Sequence, residues 1–484
     1  MDASSLQFNE IWSNYDQKKS KPSELARALL SKIKASQHGA FLTVCEDRAM
    51  EQAKRLDQIL EKEGKVPREK FPLFGIPMGI KDALTIEGVR TTCASKILEN
   101  YVPPYTATSV KRLEDAGVIT LGKLNMDEFA MGGSNENSAF GPVKHPTHLD
   151  RVPGGSSGGS ATAVGAGLCA AALGSDTGGS IRLPAHFSGI TGMKPTYGTV
   201  SRFGLVAFAS SLDQVGPMAH SAEDCARILE VMAGHDPLDS TSLNQKAPKN
   251  LCGTGSGSLK GLRIGIPKQY FSKGISSEVS QSVQAAIQKF ESLGAVQVPV
   301  DLPHTEYAVA VYYVVAVCEA SSNLARFDGI RYGVRSDRAR ELSDLDAYYR
   351  EVRSLFGAEV KRRIILGTFA LSSGYYDAYY KRACQVRRLI RDDFTNAFQE
   401  CDLILGPVSP GTAFKLGEKI SDPLTMYLND ILTIPVNLAG LPALSVPCGK
   451  DSQGLPIGLQ MIAAPFQDER LLATADAFQK GMPS

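Results

Sequence analysis

Charge of either sign is not in surplus here: 52 lysines and arginines face 51 aspartates and glutamates, a net charge of +1. Nucleic-acid binders gather a basic excess on one face, so any contact with RNA must be local or made by a partner. Nine cysteines are dispersed without a CxxC pair. An odd, scattered set in a long chain reads as reduced core thiols, which excludes a disulfide scaffold and points to the cytoplasm. Seven histidines show neither HExxH nor clustered ligand spacing, so no metal site is expected. The opening residues lack the basic-then-apolar order of a secretion signal. The longest weakly polar run, residues 161–174, is too short and too rich in glycine and alanine to span a bilayer. These absences leave a soluble, cytoplasmic chain with the composition of an enzyme and no membrane partner.

Glycine, by contrast, is abundant: 45 of 484 residues, without a period, beside a single tryptophan, Trp12. Such an excess suits a protein with many close backbone approaches. Pro22 opens a helix in which Leu25, Leu29 and Ile33 fall on one face, and residues 41–44 read as a short strand. A charged helix follows over 47–63, so residues 1–65 form a helical N-terminal part. The run from Gly75 through Ile80 to Lys81 and Asp82 predicts a buried strand with Lys81 at its end. A helix over 106–116, a strand over 118–121, a loop over 137–160, a small-residue helix over 161–170 and a strand over 171–175 continue the alternation. That alternation argues for an α/β fold with a mixed sheet. Residues 236–261, rich in glycine, serine, lysine and proline, read as a solvated linker. Beyond it come a strand at 262–266, a helix at 278–293, a mostly helical part over 306–400, and buried strands at 402–405 and 443–446.

Two glycine-serine loops carry the chemistry. GGSSGGS at 154–160 and DTGGSIRLP at 176–184 flank one small-residue helix and strand. Loops of this kind let backbone N–H groups approach a reacting oxygen, as an oxyanion hole requires. A serine beside such a hole can form an acyl intermediate if a base activates it. His186, beyond Pro184, reads better as a packing residue than as that base. A lysine at a buried strand end loses solvation, which lowers its pKa, and Lys81 fits that description. Serine–lysine catalysis is a known variant of the triad logic. Three near-miss motifs fail on context. Residues 154–158 match GxSxG but follow a polar, proline-broken stretch instead of a strand. Residues 117–123 match GxxxxGK, yet Leu124 replaces the hydroxyl residue that would reach Mg²⁺. Residues 165–170 mimic a dinucleotide fingerprint with no strand before them.

Lys81, the GGSSGGS loop and the GGSIRLP segment at 178–184 together resemble the amidase signature family. The resemblance implies one domain over 1–484, an amidase signature fold with a large mixed central sheet covered by helices on both faces. By motif position it implies Ser180 as the acyl-forming nucleophile. Ser156, on a cis peptide, would bridge Ser180 to Lys81, and Lys81, neutral in the free enzyme, would take the proton and later return it to ammonia. Backbone N–H groups of Thr177, Gly178, Gly179 and Ser180 would form the oxyanion hole. Ser157 and Ser160 fall to loop support, Asp176 and Arg182 to shaping the loop.

Within the family, three segments are similar to the A subunits of the glutamyl-tRNA(Gln)/aspartyl-tRNA(Asn) amidotransferases: GKLNMDEFAMGGS at 122–134 with ENSAFG at 136–141, RRIILGTFALSSGYY at 362–376, and MYLNDILTIPVNLAG at 426–440. That likeness, from about residue 22 to 475, implies a glutamine amidohydrolase subunit. Arg363 would bind the α-carboxylate of glutamine and Asp430 its α-amino group. Tyr312 or Tyr313 lines the same pocket, and the sequence does not choose between them. No cofactor is implied in this chain; ATP and Mg²⁺ belong to a partner B subunit, with a small C subunit completing a heterotrimer and aminoacyl-tRNA met mainly through the partner. Two rivals remain: a stand-alone amidase acting on a small or fatty amide, and a non-catalytic RNA-binding subunit. The charge balance and the lack of an aromatic-basic pattern argue against the second.

Overall fold

The computed structural model of the chain describes residues 6–245, 251, 259–272, 274–331, 333–335, 337–419 and 422–481. Among these residues eleven strands join one sheet. In chain order they are β1 (Phe41–Val44), β2 (Pro77–Lys81), β3 (Ile119–Leu124), β4 (Ala171–Asp176), β5 (Thr191–Lys194), β6 (Gln214–Ala219), β7 (Arg263–Pro267), β8 (Val296–Val300), β9 (Leu403–Pro407), β10 (Ala443–Lys450) and β11 (Pro456–Ala463). Across the sheet they run β1-β3-β2-β4-β6-β5-β10-β11-β9-β7-β8. β2 is parallel to β3 and β4, and β7 is parallel to β8 and β9, while the other pairings are antiparallel. This is the large mixed α/β sheet that the family resemblance implies.

Side-chain alternation puts a core on each face. Leu459 and Met461 of β11 enter one hydrophobic cluster while Ile462 enters the other, and Leu444 and Ala443 of β10 divide in the same way. Strands β2, β3 and β4 are buried at every residue, as strands covered on both faces must be. The parallel register of β2 and β4, Ile80 opposite Leu173, brings their carboxyl ends together. The carboxyl ends of parallel strands are where open α/β sheets bind ligands. Lys81 closes β2 and Asp176 closes β4 at that edge.

Element limits moved where glycine misled the sequence reading. The helix expected over 161–170 is Gly158–Gly165, so the preceding loop ends at Ser157. Glycines open this helix because a side chain has no room there: a Cβ on Gly159 would lie 2.2 Å from the Asn125 carbonyl oxygen. Of the expected linker, residues 246–250 and 252–258 lie outside the described residues. The part that precedes them is docked, with buried Asp236 accepting from Thr108 at 2.6 Å and from Ser201 at 2.5 Å. One helical stretch, Pro303–Leu324, is long and apolar enough to cross a membrane, which the apolar runs of the sequence did not signal. Half of it is buried, and it packs between the helices Ala358–Leu371 and Arg382–Glu400, so its apolar residues serve a core.

Lys123, the residue that ends the GxxxxGK near-match, is paired inside the sheet instead of facing a phosphate. Its Nζ donates to Asp82 Oδ1 at 2.9 Å and to Thr91 at 2.7 Å, and both charged side chains are fully buried. Removing one member of such a pair strands the other charge in the core. Lys123→Ala should therefore lower unfolding free energy by about 3–5 kcal/mol in denaturant titration. A loss under about 1 kcal/mol would mean that water reaches Asp82.

Candidate active site

Lys81 reaches the carboxyl edge of the sheet with no exposed surface. Burial pulls its pKa from the usual lysine range to about 7, against the opposing pull of Asp127, Asp176 and Asp213. Its Nζ lies 2.8 Å from Ser156 Oγ, 2.8 Å from Ser157 Oγ and 3.3 Å from the Ser175 carbonyl oxygen. The Gly155–Ser156 peptide is cis. Gly155 sits so close to Asp127 that a Cβ there would come within 2.0 Å of the carboxylate.

Proton counting assigns these contacts. Ser157 Oγ donates to the Ser175 carbonyl at 3.1 Å, so it can only accept from Lys81. The Ser175 carbonyl can only accept. A neutral amine has two N–H bonds and one lone pair, and those two acceptors use the N–H bonds. The lone pair is left for the Ser156 hydroxyl. Ser157, expected only to support the loop, thus orients the amine as well.

The loop that carries Ser180 is clamped by Asp176. Its carboxylate accepts from the N–H of Gly179 at 2.8 Å and of Ile181 at 3.2 Å, and pairs with Arg182 at 3.1 Å. Burial works against the Asp176 charge, but the Arg182 guanidinium outweighs it and holds the carboxyl far below the usual range. Asn437 bonds both partners, donating to Asp176 at 2.9 Å. Thr177 Oγ1 donates to Asp213 at 2.7 Å, and Thr433 donates to the Gly178 carbonyl at 2.7 Å. The Gly179 N–H, expected to face an oxyanion, donates to Asp176 in this structure. The N–H groups of Thr177, Gly178 and Ser180 have no acceptor among the described residues. Ser180 is 8% exposed, and no hydrogen bond joins its hydroxyl to that of Ser156. Catalytic hydrogen bonds often tighten only when substrate is bound.

Beside this loop lies a cavity of about 200 Å³, lined by Gly133, Ser134, Tyr313, Glu359, Arg363 and Asp430 among others. Arg363 and Asp430, expected to bind the two ends of an amino acid, face the same space. Asp430 closes the inner end, where its Oδ1 would meet a Cβ on Gly179 at 2.8 Å. That oxygen is buried without a hydrogen-bond partner. Burial, reinforced by the charge of Asp176, raises the Asp430 carboxyl well above its usual range. Of the two candidate tyrosines, Tyr313 lines the cavity, while Tyr312 packs under Gly178, 2.8 Å from where a Cβ would stand.

Other residues fall outside the chemistry. His186 is buried, its Nε2 on the Gly411 carbonyl at 3.0 Å and its Nδ1 accepting from Gly458. Ser160 donates to the Leu173 carbonyl at 2.9 Å and so supports the loop. Lys194 is also pulled to about 7 by burial, with the Arg182 charge adding, but its Nζ donates to the Pro195 carbonyl and no serine lies beside it. A depressed lysine pKa alone therefore does not set Lys81 apart from Lys194; the adjoining hydroxyls do. Among the described residues no group of His, Cys, Asp or Glu is arranged to hold a metal ion. Sequence reasoning missed Glu359 and Tyr427, which contact Arg363; the only available signal was the four-residue spacing of Glu359 and Arg363 on one helix face.

Comparison with known proteins agrees with this geometry. The family profile described as Amidase matches residues 24–472. The chain is 59% identical over 442 residues, 91% of its length and 89% of that protein, to the A subunit of the glutamyl-tRNA(Gln) amidotransferase of Geobacillus thermodenitrificans (strain NG80-2). It is 56% identical over 470 residues, 94% of its length and 92% of that protein, to the corresponding subunit of Cupriavidus necator. Among solved structures, the A subunit of the glutamyl-tRNA(Gln) amidotransferase of Thermotoga maritima matches with a TM-score of 0.79 and 44% identity, over 96% of this chain and 92% of that one.

If Lys81 is the base, only its neutral form works. The fraction neutral rises with pH through about 7, so kcat/KM for hydrolysis of a simple amide without an α-amino group should climb about tenfold per pH unit below that value and level off above it. Lys81→Met should remove the rate and the inflection together. Retention of the inflection in Lys81→Met would assign it to another group.

Proposed function

The chain belongs to the amidase family, and from that premise we propose that it is the glutamine-hydrolysing subunit of a tRNA-dependent amidotransferase, releasing ammonia for the amidation of Glu-tRNA(Gln). The observation that carries this reading is the opposite-charge pair Arg363 and Asp430 in one cavity against the Ser180 loop. A guanidinium suits a carboxylate and an unpartnered buried carboxylate suits an ammonium, so the cavity matches the zwitterionic end of an α-amino acid. Likeness to amidotransferase A subunits over nine-tenths of the chain supports the assignment of glutamine and of the acceptor tRNA. Amidation of Asp-tRNA(Asn) uses the same ammonia and belongs to the same proposal.

In this mechanism neutral Lys81 draws the proton of Ser156, which in turn draws that of Ser180. Ser180 Oγ attacks the side-chain amide carbon of glutamine. The resulting oxyanion faces the N–H groups of Thr177, Gly178 and Ser180, in a site from which water is largely excluded. Collapse breaks the C–N bond, and the proton held on Lys81 returns through Ser156 to the departing ammonia. Water then attacks the acyl-enzyme by the same relay, and glutamate leaves. Ammonia must reach the activated aminoacyl-tRNA unprotonated, which assigns ATP and Mg²⁺ to a B subunit, with a C subunit completing the assembly.

Ser180→Ala should cut glutamine hydrolysis by more than about 10⁴-fold and abolish glutamine-dependent amidation, yet spare amidation fed by free ammonia. Equal loss of the ammonia-fed reaction would break the proposed division of labour. The same variant isolates binding. Burial raises the Asp430 carboxyl well above its usual range, and a bound α-ammonium would favour its ionised form. Calorimetric affinity of Ser180→Ala for glutamine should therefore rise with pH above the ordinary carboxylate range, as Asp430 ionises. Adding Asp430→Asn should weaken binding about 10- to 100-fold and flatten that trend. A trend that survives Asp430→Asn would belong to another group.

A further inference from the structure

Arg363 can read a carboxylate only if its guanidinium presents the right edge to the cavity, and a long side chain does not hold one orientation unaided. Three ring faces flank it: Phe208 at 5.5 Å, Tyr313 at 5.2 Å and Tyr427 at 5.5 Å from the guanidinium carbon. These faces fix its plane but leave it free to rotate within that plane. In-plane rotation is stopped by one group. Glu359 Oε1 accepts from Arg363 Nε at 2.8 Å, and the same oxygen accepts from the Tyr427 hydroxyl at 2.7 Å. Glu359 Oε2 accepts from Arg362. The terminal nitrogens of Arg363 have no protein acceptor among the described residues.

We infer that Glu359 is the positioning residue that sets the carboxylate specificity of the cavity, by occupying the Nε edge of Arg363 so that its two terminal nitrogens are turned to the substrate. This rests on the reading of Arg363 as the carboxylate ligand. Glu359 lies one turn before Arg363, in the first turn of the helix Ala358–Leu371. The positive end of the helix dipole favours its charge there. The pair is not an ordinary surface bridge: its side chains are 4% and 10% exposed. Burial opposes ionisation of Glu359, but Arg363 and Tyr427 outweigh it and keep the carboxyl below the usual range. The start of the helix is anchored in turn. The Gly357 N–H donates to Glu128 Oε2 at 2.8 Å, and a Cβ on Gly357 would stand 2.2 Å from that oxygen. Glu128 directly follows Asp127, whose carboxylate accepts from the N–H groups of Asn135 at 3.0 Å and Asn137 at 3.1 Å in the segment lining the cavity. Loop, helix and guanidinium are thus tied in one line.

The test uses the chain purified with its partner subunits and two substrates: glutamine, and γ-aminobutyramide, which keeps the amine and the amide but lacks the carboxylate. Glu359→Asp keeps the charge but is one methylene too short to reach Nε, and Glu359→Ala removes the acceptor. Each should raise the glutamine KM about 10- to 100-fold with kcat within about threefold, and leave γ-aminobutyramide unchanged. Either variant suffices if the other fails to fold. Glu359→Gln keeps the acceptor at full length without the charge, and should return the glutamine KM to within about threefold of the parent. An unchanged glutamine KM in Glu359→Asp or Glu359→Ala, or an equal rise for both substrates, overturns the proposal. Arg363→Ala separates the two levels of the argument. If it weakens both substrates alike, the carboxylate reading itself fails; if it is selective for glutamine while the Glu359 variants are silent, only the positioning role fails.

Discussion

An ammonium group withdrawn from water loses its hydration, and Lys81 has been withdrawn completely, at the end of a strand buried on both faces. Everything at the site follows from that loss. The amine remains reactive near neutrality because burial outweighs three surrounding carboxylates. It is aimed because two acceptors consume its N–H bonds and leave one direction for its lone pair. Lys194 shows what burial alone yields. Its pKa is depressed to the same value, yet its partner is a neighbouring carbonyl and no proton can be passed on. Position among hydroxyls is what suits Lys81, and not Lys194, to the proposed role of base.

The second constraint is electrostatic. Asp176 and Arg182 form a buried ion pair whose remaining valences are taken by Asn437, Gln460 and backbone groups. Such pairs give little net stability, since desolvation offsets attraction, but they fix geometry when every lone pair is satisfied. Here the fixed object is the segment from Thr177 to Ser180. In the proposed mechanism, amides held rigid before substrate arrives require no reorganisation as charge develops. The cost of burying the pair is met by a core on both faces of an eleven-stranded sheet.

Legibility in the sequence followed the range of the forces involved. Strand β2 ending at Lys81 could be read because apolar runs and their polar ends are local features. The two glycine-serine loops could be read because small residues signal close backbone approach wherever they occur. Boundaries failed where glycine serves packing instead of punctuation, as at Gly158 and Gly159, which begin a helix. Helix was legible over most of the stretch Pro303–Leu324, but its length as one apolar helix was not, because the apolar run 308–318 is by itself too short to span a bilayer. The bond from the Gly179 amide to Asp176 was not legible, because no spacing rule distinguishes an amide facing solvent from one already bonded.

The sequence by itself determined the chemistry available to this protein: a lysine closing an apolar strand, serines set among glycines, and an arginine and an aspartate 67 residues apart in the second half of the chain. It also determined the α/β alternation that builds the sheet, because periodicity is written residue by residue. Only the tertiary structure decided which partners each group meets. The parallel pairing of β2 with β4 brings Lys81 to the Ser175 carbonyl, and the loop before the helix Gly158–Gly165 brings Ser156 and Ser157 to it, 75 and 76 positions along the chain. Packing of distant segments sets Asp430 against Gly179 and leaves its carboxylate unpaired. The physical reason is range: propensity and periodicity act over a few residues, whereas desolvation and hydrogen-bond satisfaction depend on every group that closes around a site.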